Sequence, residues 1–170
     1  MSPERQRKPE LYRPLPLERI GARGLDITVE ANAEERAAIA ERLLLAGIHS
    51  LRCEFALTHG PGGIVLARGR LQARVEETCV VSLDEFEATV DDGFGLRFVP
   101  AGSESDDPDP ESEDEVPYAG DALDLGEAAV EQLALALDPY PRKPDAELPV
   151  AEAETPTHPF AGLAPLRRLD

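Results

Sequence analysis

Strict alternation of apolar and polar residues marks the middle of the chain. In the first run, one face carries Leu51, Cys53, Phe55 and Leu57, and the other carries Ser50, Arg52, Glu54 and Ala56. Alternation resumes after the glycine-rich segment 59–63, with apolar positions at Val65, Ala67, Gly69, Leu71, Ala73 and Val75. A period of two residues is typical of a half-buried strand. Because a Gly-Pro-Gly-Gly sequence favours a turn, the two runs predict a long antiparallel pair.

Two further segments have the same period. Around the turn-like sequence Asp91-Asp92-Gly93, apolar residues recur at Phe86, Ala88, Val90, Phe94, Leu96 and Phe98. This arrangement predicts a second hairpin whose turn lies at 91–93. Nearer the N-terminus, a short strand is predicted by Leu25, Ile27 and Val29.

A helical period appears between these strands. Asn32 followed by Glu35 is the pair expected of a capping box at a helix start. The apolar stripe that follows consists of Ala37, Ile39, Ala40, Leu43, Leu44 and Ala46. We therefore predict a helix over 33–46, ended by Gly47 in the left-handed conformation.

A second helix is predicted in the C-terminal half. Asp124 followed by Glu127 repeats the capping arrangement. Its apolar face consists of Leu125, Ala129, Val130, Leu133, Ala134 and Leu137. Pro139 and Pro141 end the helix because proline cannot continue it.

Together these elements predict an α+β fold, with an antiparallel sheet of about five strands and two helices. We expect an N-terminal arm at 1–20, a single domain at 21–141 and an irregular Pro-rich tail at 142–170. Within the domain, segment 101–119 is predicted to be a long disordered acidic loop, because its densest part has no apolar residue to bury. The tail is expected to dock on the domain or on a partner through Phe160, Leu163 and Leu166.

Acidic residues outnumber basic ones, with 34 Asp plus Glu against 17 Lys plus Arg and a net charge of −17. An excess of this sign argues against a basic nucleic-acid module and against a protein drawn to anionic lipid. However, the stretch between Phe98 and Pro141 holds thirteen acids and no Lys or Arg. The remainder is closer to balance, so a role with RNA stays open. No apolar run approaches the roughly 20 residues that span a bilayer, and we expect a cytoplasmic protein.

Few residues are arranged for catalysis or metal binding. Cys79 has acidic neighbours at Glu76, Glu77 and Asp84 and no nearby His, so we expect a raised pKa and a packing role. Cys53 lies on the apolar face of its strand. No His has a second ligand at metal spacing, and the acidic loop lacks the spacing of a calcium-binding loop. We predict no catalytic residue, no metal site and no cofactor, and we expect that the chain is not an enzyme.

A row of arginines lies on the polar face of the second long strand, at Arg68, Arg70 and Arg74. Such a row can contact RNA phosphates in a salt-sensitive way. It can equally form an ordinary solvated face that pairs with Glu76 or with a neighbouring strand. The sequence leaves both interpretations open.

Three ordered motifs resemble the YceD-like family of large ribosomal RNA subunit accumulation proteins. They are the segment 79–86 with the strand before it, the 124–141 helix, and the terminal segment 159–163. The motif residues are Cys79, Leu83, Phe86, Asp124, Glu127, Pro159, Phe160 and Leu163. Many members carry Cys-x-x-Cys at the first motif, whereas this chain has Ser82, so no metal or redox role is carried over.

The resemblance implies a role in making or accumulating large-subunit (23S) ribosomal RNA. We expect a non-enzymatic ribosome-biogenesis factor whose arginine row contacts large-subunit RNA or a pre-ribosomal particle. In the alternative, the chain is an acidic adaptor or chaperone for a basic ribosomal protein, without RNA contact of its own. Neither interpretation involves a membrane.

Overall fold

Seven strands and two α-helices occur within residues 9–104 and 113–147, the part of the chain that the computed structural model describes. The strands are β1 (Pro14–Pro16), β2 (Leu25–Glu30), β3 (Gly47–His59), β4 (Val65–Thr78), β5 (Glu85–Pro100), β6 (Asp114–Tyr118) and β7 (Ala122–Asp124). The helices are α1 (Ala33–Leu43) and α2 (Leu125–Ala136). The predicted α+β class, with a five-stranded sheet and two helices, is confirmed.

The main sheet has the order β2-β3-β4-β5-β6, and a small separate sheet pairs β1 with β7. In the main sheet, strands β2 to β5 are antiparallel to one another, whereas β6 runs parallel to β5. The predicted β3–β4 pair is present, with Cys53 opposite Leu71 and Leu57 opposite Ala67. Neither helix in the described part of the chain is long and apolar enough to cross a membrane.

The two faces of the sheet differ sharply in burial. The inward residues of β3 and β4 join one core with buried residues of both helices, which include Ile39 of α1 and Leu133 of α2. The outward residues of the same strands are largely exposed. The alternation predicted from sequence is therefore the feature that builds the core.

The predicted second hairpin is wrong, because β5 is one continuous strand from Glu85 to Pro100. The Asp91-Asp92-Gly93 sequence stays extended and pairs with β4, so that Asp92 lies opposite Leu71 and Gly93 opposite Arg70. A long partner strand supplies a ladder bond at every step, which outweighs the local turn preference of three residues.

The start of α1 is confirmed, and its end differs from the prediction. Asn32 and Glu35 form a complete capping box. The helix ends at Leu43, and Leu44, with φ 57°, takes the left-handed conformation predicted for Gly47. Gly47 instead begins β3, where a Cβ would lie 3.2 Å from Glu76 Oε2. At α2, the Asp124 carboxylate accepts hydrogen bonds from Gly126 and Glu127, which confirms the predicted N-cap. The reciprocal half of the capping arrangement is not formed, because the Glu127 carboxylate pairs with Arg42.

Two predicted boundaries also need correction. Residues 9–20 are not a separate arm, because Leu11, Leu15 and Ile20 are buried in the core. At the other boundary, the end of the predicted loop 101–119 is strand β6.

Residues 1–8, 105–112 and 148–170 lie outside the described residues. The last range contains the predicted docking residues and the terminal motif, Pro159, Phe160, Leu163 and Leu166.

We predict that Gly69→Ala destabilises the fold by about 2 kcal/mol, since the extra methyl group overpacks the core. A Cβ at Gly69 would lie 2.1 Å from the Phe94 ring, which packs edge-on against Phe55 at 5.6 Å. Gly93→Ala is the matched control, because its nearest neighbour would be 3.9 Å away. Urea unfolding measures both variants, and equal stability of the two would contradict this packing.

Candidate nucleic-acid interface

The predicted arginine row lies on the open face of the sheet, where β4 turns alternate side chains away from the helices. The side chains of Arg68, Arg70 and Arg74 are 85%, 61% and 56% exposed, respectively. All three therefore share one solvent-accessible surface, as the alternation predicted.

Two of these arginines are held by acids of the neighbouring strand. Arg70 donates from Nε and Nη2 to the two carboxylate oxygens of Asp91, both at 2.7 Å. Arg74 donates to both oxygens of Glu87 at 3.1 and 2.8 Å. These bonds lower the pKa of each carboxyl group. For Arg70 and Arg74, the structure thus shows the pairing with a neighbouring strand that the sequence left open.

Arg68 is bound less tightly than the other two. Its closest acidic contact runs from Nη2 to Glu113 Oε1 at 3.7 Å, beyond good hydrogen-bond distance. Arg68 also borders a shallow groove of about 540 Å³ on the open face, together with Arg70 and Glu54. Among the three, Arg68 is the side chain best placed to reach a new anion without first leaving a strong partner.

The open face also carries two arginines that the sequence analysis did not single out. Arg52 on β3 bonds Glu30 and Glu54 at 2.5 and 2.8 Å, and Arg97 on β5 contacts Glu115 at 3.2 Å. Both occupy outward positions of the strand alternation, which is the signal that identifies them. Most arginines of the face are therefore held in ion pairs, and a phosphate that binds one of them, Arg68 excepted, must replace a carboxylate partner.

The first family motif forms a tight turn after β4. Within it, Cys79 N–H donates to Asp84 O at 2.8 Å, and Leu83 N–H donates to Cys79 O at 2.9 Å. The Cys79 Sγ accepts from the N–H groups of Val81 and Ser82, both at 3.4 Å. Leu83 has φ 62° and is 76% exposed. The turn thus encloses the sulfur and presents Leu83 to solvent.

The raised pKa expected for Cys79 is wrong. Hydrogen bonds from the Ser82 side chain and backbone, followed by those from Lys143 and Val81, lower the pKa of Cys79 to about 6, although desolvation opposes them. Backbone donors converging on a sulfur stabilise the thiolate. Cys53 differs, because burial raises its pKa to about 12. It lies in the core with no exposed surface, as predicted.

Two other motif residues, Asp124 and Glu127, have structural partners away from this turn. Asp124 caps α2, and Glu127 contacts Arg42 of α1 at 2.7 Å. Arg42 also contacts Glu10 at 3.0 Å, so one guanidinium joins both helices to the N-terminal segment. Within the described residues, no group of three His, Cys, Asp or Glu side chains is placed to hold a metal ion.

The Cys79 turn gives a prediction on pH dependence. Since the folded chain lowers the pKa of Cys79 from 9.0 to about 6, the thiolate stabilises the fold fully above the unfolded pKa. This contribution shrinks as pH falls below 9.0, is partial at neutral pH and is lost below about 6. Absorbance of the thiolate should rise in a step near pH 6. Ser82→Ala should move that step upward, with Cys79→Ala as the control that removes it. A wild-type step above pH 8 would contradict the assigned turn geometry.

Comparison with known proteins covers both the arginine row and the Cys79 turn. The family model described as "Large ribosomal RNA subunit accumulation protein YceD" matches residues 67–167. Searches of curated proteins and of solved structures found no match. The matched region contains the arginine row, the Cys79 turn and α2. Because the match covers more than half of the chain, the protein belongs to the YceD family of large ribosomal RNA subunit accumulation proteins.

Proposed function

We propose that this chain is a non-enzymatic, cytoplasmic factor that supports the synthesis, processing or accumulation of 23S ribosomal RNA. Membership of the YceD family links it to accumulation of large-subunit ribosomal RNA. The proposal adds that the chain acts by binding large-subunit RNA or a pre-ribosomal particle, through Arg68, Arg70 and Arg74.

The observation that carries this proposal is the placement of the three arginines on one open, curved face. Their spacing along β4 follows from the strand rise of about 3.3 Å per residue, so Arg68 and Arg70 are separated by roughly 7 Å and Arg70 and Arg74 by roughly 13 Å. Guanidinium groups recognise phosphate with the same two-pronged geometry that they use for carboxylate. An RNA phosphate bound by Arg70 or Arg74 would therefore replace the carboxylate of Asp91 or Glu87.

This exchange sets the expected character of the interaction. Breaking the Arg70 and Arg74 ion pairs offsets part of the gain from each phosphate contact, so the affinity is modest and falls with salt. An acidic surround also repels RNA that cannot engage the row. The chain would then discriminate among RNA surfaces by shape, and it would not coat RNA indiscriminately.

A second candidate is an acidic adaptor or chaperone for a basic ribosomal protein. This candidate is supported by the acidic stretch between Phe98 and Pro141. The stretch includes strand β6, whose first residue, Asp114, is exposed. In this alternative the ion pairs of the open face are permanent, and the arginines only hold the sheet surface together. The two candidates differ in whether freeing the arginines changes RNA binding.

We predict that Asp91→Asn combined with Glu87→Gln tightens binding to transcribed 23S RNA by about three- to tenfold, because both arginines lose their competing partners. The measurement is a filter-binding or anisotropy titration at several salt concentrations. The matched control is Glu34→Gln with Glu41→Gln, which changes net charge equally on the exposed side of α1.

The triple variant Arg68→Glu/Arg70→Glu/Arg74→Glu completes the test. If RNA binding by the Asp91→Asn/Glu87→Gln variant rises no more than in the control, a specific role for the arginine row is contradicted. Unchanged RNA association and unchanged ribosomal RNA levels in the triple variant would contradict direct RNA contact and favour the adaptor.

A further inference from the structure

The inward row of β4 ends at an unexpected residue. Leu71, Ala73 and Val75 face the helices and are buried, and the next inward position is Glu77. Glu77 is only 6% exposed and is the sole charged residue among the buried residues of the described chain. A carboxylate here lies where the alternation would otherwise place an apolar side chain.

Glu77 has no hydrogen-bond or ion-pair partner among the described residues. Among the described residues, however, every fully buried side-chain oxygen or nitrogen atom has a hydrogen-bond partner. The small exposed part of Glu77 must therefore include its carboxylate oxygens, while the rest of the side chain is covered. These oxygens open into two adjoining grooves, of about 450 and 340 Å³, whose linings both include Glu77, Asp138 and Pro141.

A second carboxylate stands beside the first. Burial and the negative charge of Asp138 both raise the pKa of Glu77, with burial the larger cause. Asp138 itself is exposed at the end of α2. The nearest basic residue of the groove lining, Arg142, forms no ion pair with either acid. The fold thus brings two acids together and leaves them without a cation.

The walls around these acids differ between the two grooves. The larger groove mixes apolar residues with Thr89, Asp91, Asp92 and Arg142, whereas most residues that border the smaller groove are apolar. Phe86 lies directly opposite Glu77 on β5. The smaller groove is bordered by Leu43, Leu44, Leu45, Ala134, Leu137 and Pro139. Leu44 is 92% exposed and is held in the left-handed conformation. An apolar channel that ends at a carboxylate matches a side chain with a hydrocarbon stem and a cationic head.

We propose that the Glu77–Asp138 groove is a binding site for a lysine or arginine side chain of a basic, partly apolar polypeptide segment from a partner protein. The cationic head lies between the two carboxylates, and its stem and the apolar neighbours of the segment pack along Leu44 and Phe86. The site deepens the adaptor candidate above and rests on it for the identity of the partner as a basic ribosomal protein.

Other ligands fit this groove less well. A divalent cation needs more oxygen ligands than two carboxylates provide, and no group of three His, Cys, Asp or Glu side chains among the described residues is placed to hold a metal ion. RNA is disfavoured because phosphates would be repelled by both acids. Charge complementarity therefore selects a cationic side chain, and the apolar walls select one carried by a polypeptide.

The test measures binding of a short fluorescein-labelled peptide of repeating Lys-Leu-Arg units to the full chain, by anisotropy at physiological salt. Glu77→Gln with Asp138→Asn should weaken binding by about tenfold. The matched control is Glu76→Gln, which removes one charge at the adjacent residue that faces the opposite side of the sheet. Asp138→Asn alone should weaken binding by about threefold, and it tests the site independently of any effect of Glu77→Gln on folding.

Three outcomes would overturn the proposal. They are absence of peptide binding by the wild-type chain, equal weakening by Glu76→Gln and Asp138→Asn, and full binding by the paired variant. Large-subunit RNA levels in cells that carry the paired variant test the adaptor function separately. Selective loss of peptide binding with normal RNA levels would uphold the site and overturn its link to ribosome assembly.

Discussion

The hydrogen bonding of β4 along both of its edges is the constraint on which the rest of the structure depends. From Val65 to Glu76 this strand pairs with β3 on one side and β5 on the other, so no residue there can change face without breaking two ladders, and β5 continues the pairing to Thr78. Every second side chain is consequently committed to the core under the helices. The intervening side chains are committed to solvent, and the arginine row and the Glu77 groove both result from that division.

The open face shows how an acidic chain can keep a surface suited to RNA. Each arginine of the row has an acid within reach, and the acids come mainly from β5 and from the region leading into β6. Such pairing contributes little stability at an exposed surface, since each exposed pair is worth roughly 0–1 kcal/mol. Its larger consequence concerns binding, because any polyanion must compete with carboxylates that are already in place.

The helix side of the sheet holds the second candidate site, the Glu77–Asp138 groove. Glu77 lies in the inward row and Asp138 follows α2, so their approach results from packing of the helix on the sheet. A buried carboxyl group without a partner lowers stability, and a protein keeps such a group most readily where a ligand supplies the missing charge. In this account, RNA and a basic protein would engage different surfaces of the same small fold.

Much of the fold was predictable from sequence, because strand alternation and capping pairs are local signals. Asn32, Asp124 and the inward residues of β3 and β4 were identified on that basis. The turn predicted at Asp91-Asp92-Gly93 is wrong because a long partner strand overrides a local turn preference. The left-handed helix end lies at Leu44, because Gly47 already belongs to β3.

Features of the candidate sites depend on contacts that a linear pattern does not carry. The ion pairs of Arg70 and Arg74 require the register between β4 and β5, which the predicted hairpin would have disrupted. The lowered pKa of Cys79 arises from N–H groups that converge on the sulfur only after the turn has formed. The sequence analysis named Glu77 only as an acidic neighbour of Cys79, although extending the alternation by one step places it inside.

The most direct measurement is site-specific photocrosslinking in growing cells, with a photoreactive residue at Gln72 on the open face or at Tyr140 beside the groove. Gln72 is an exposed neighbour of the arginine row, and Tyr140 is 70% exposed. The account predicts crosslinks from position 72 to large-subunit RNA and from position 140 to a basic protein. Crosslinks from neither position to any large-subunit RNA or protein would contradict it.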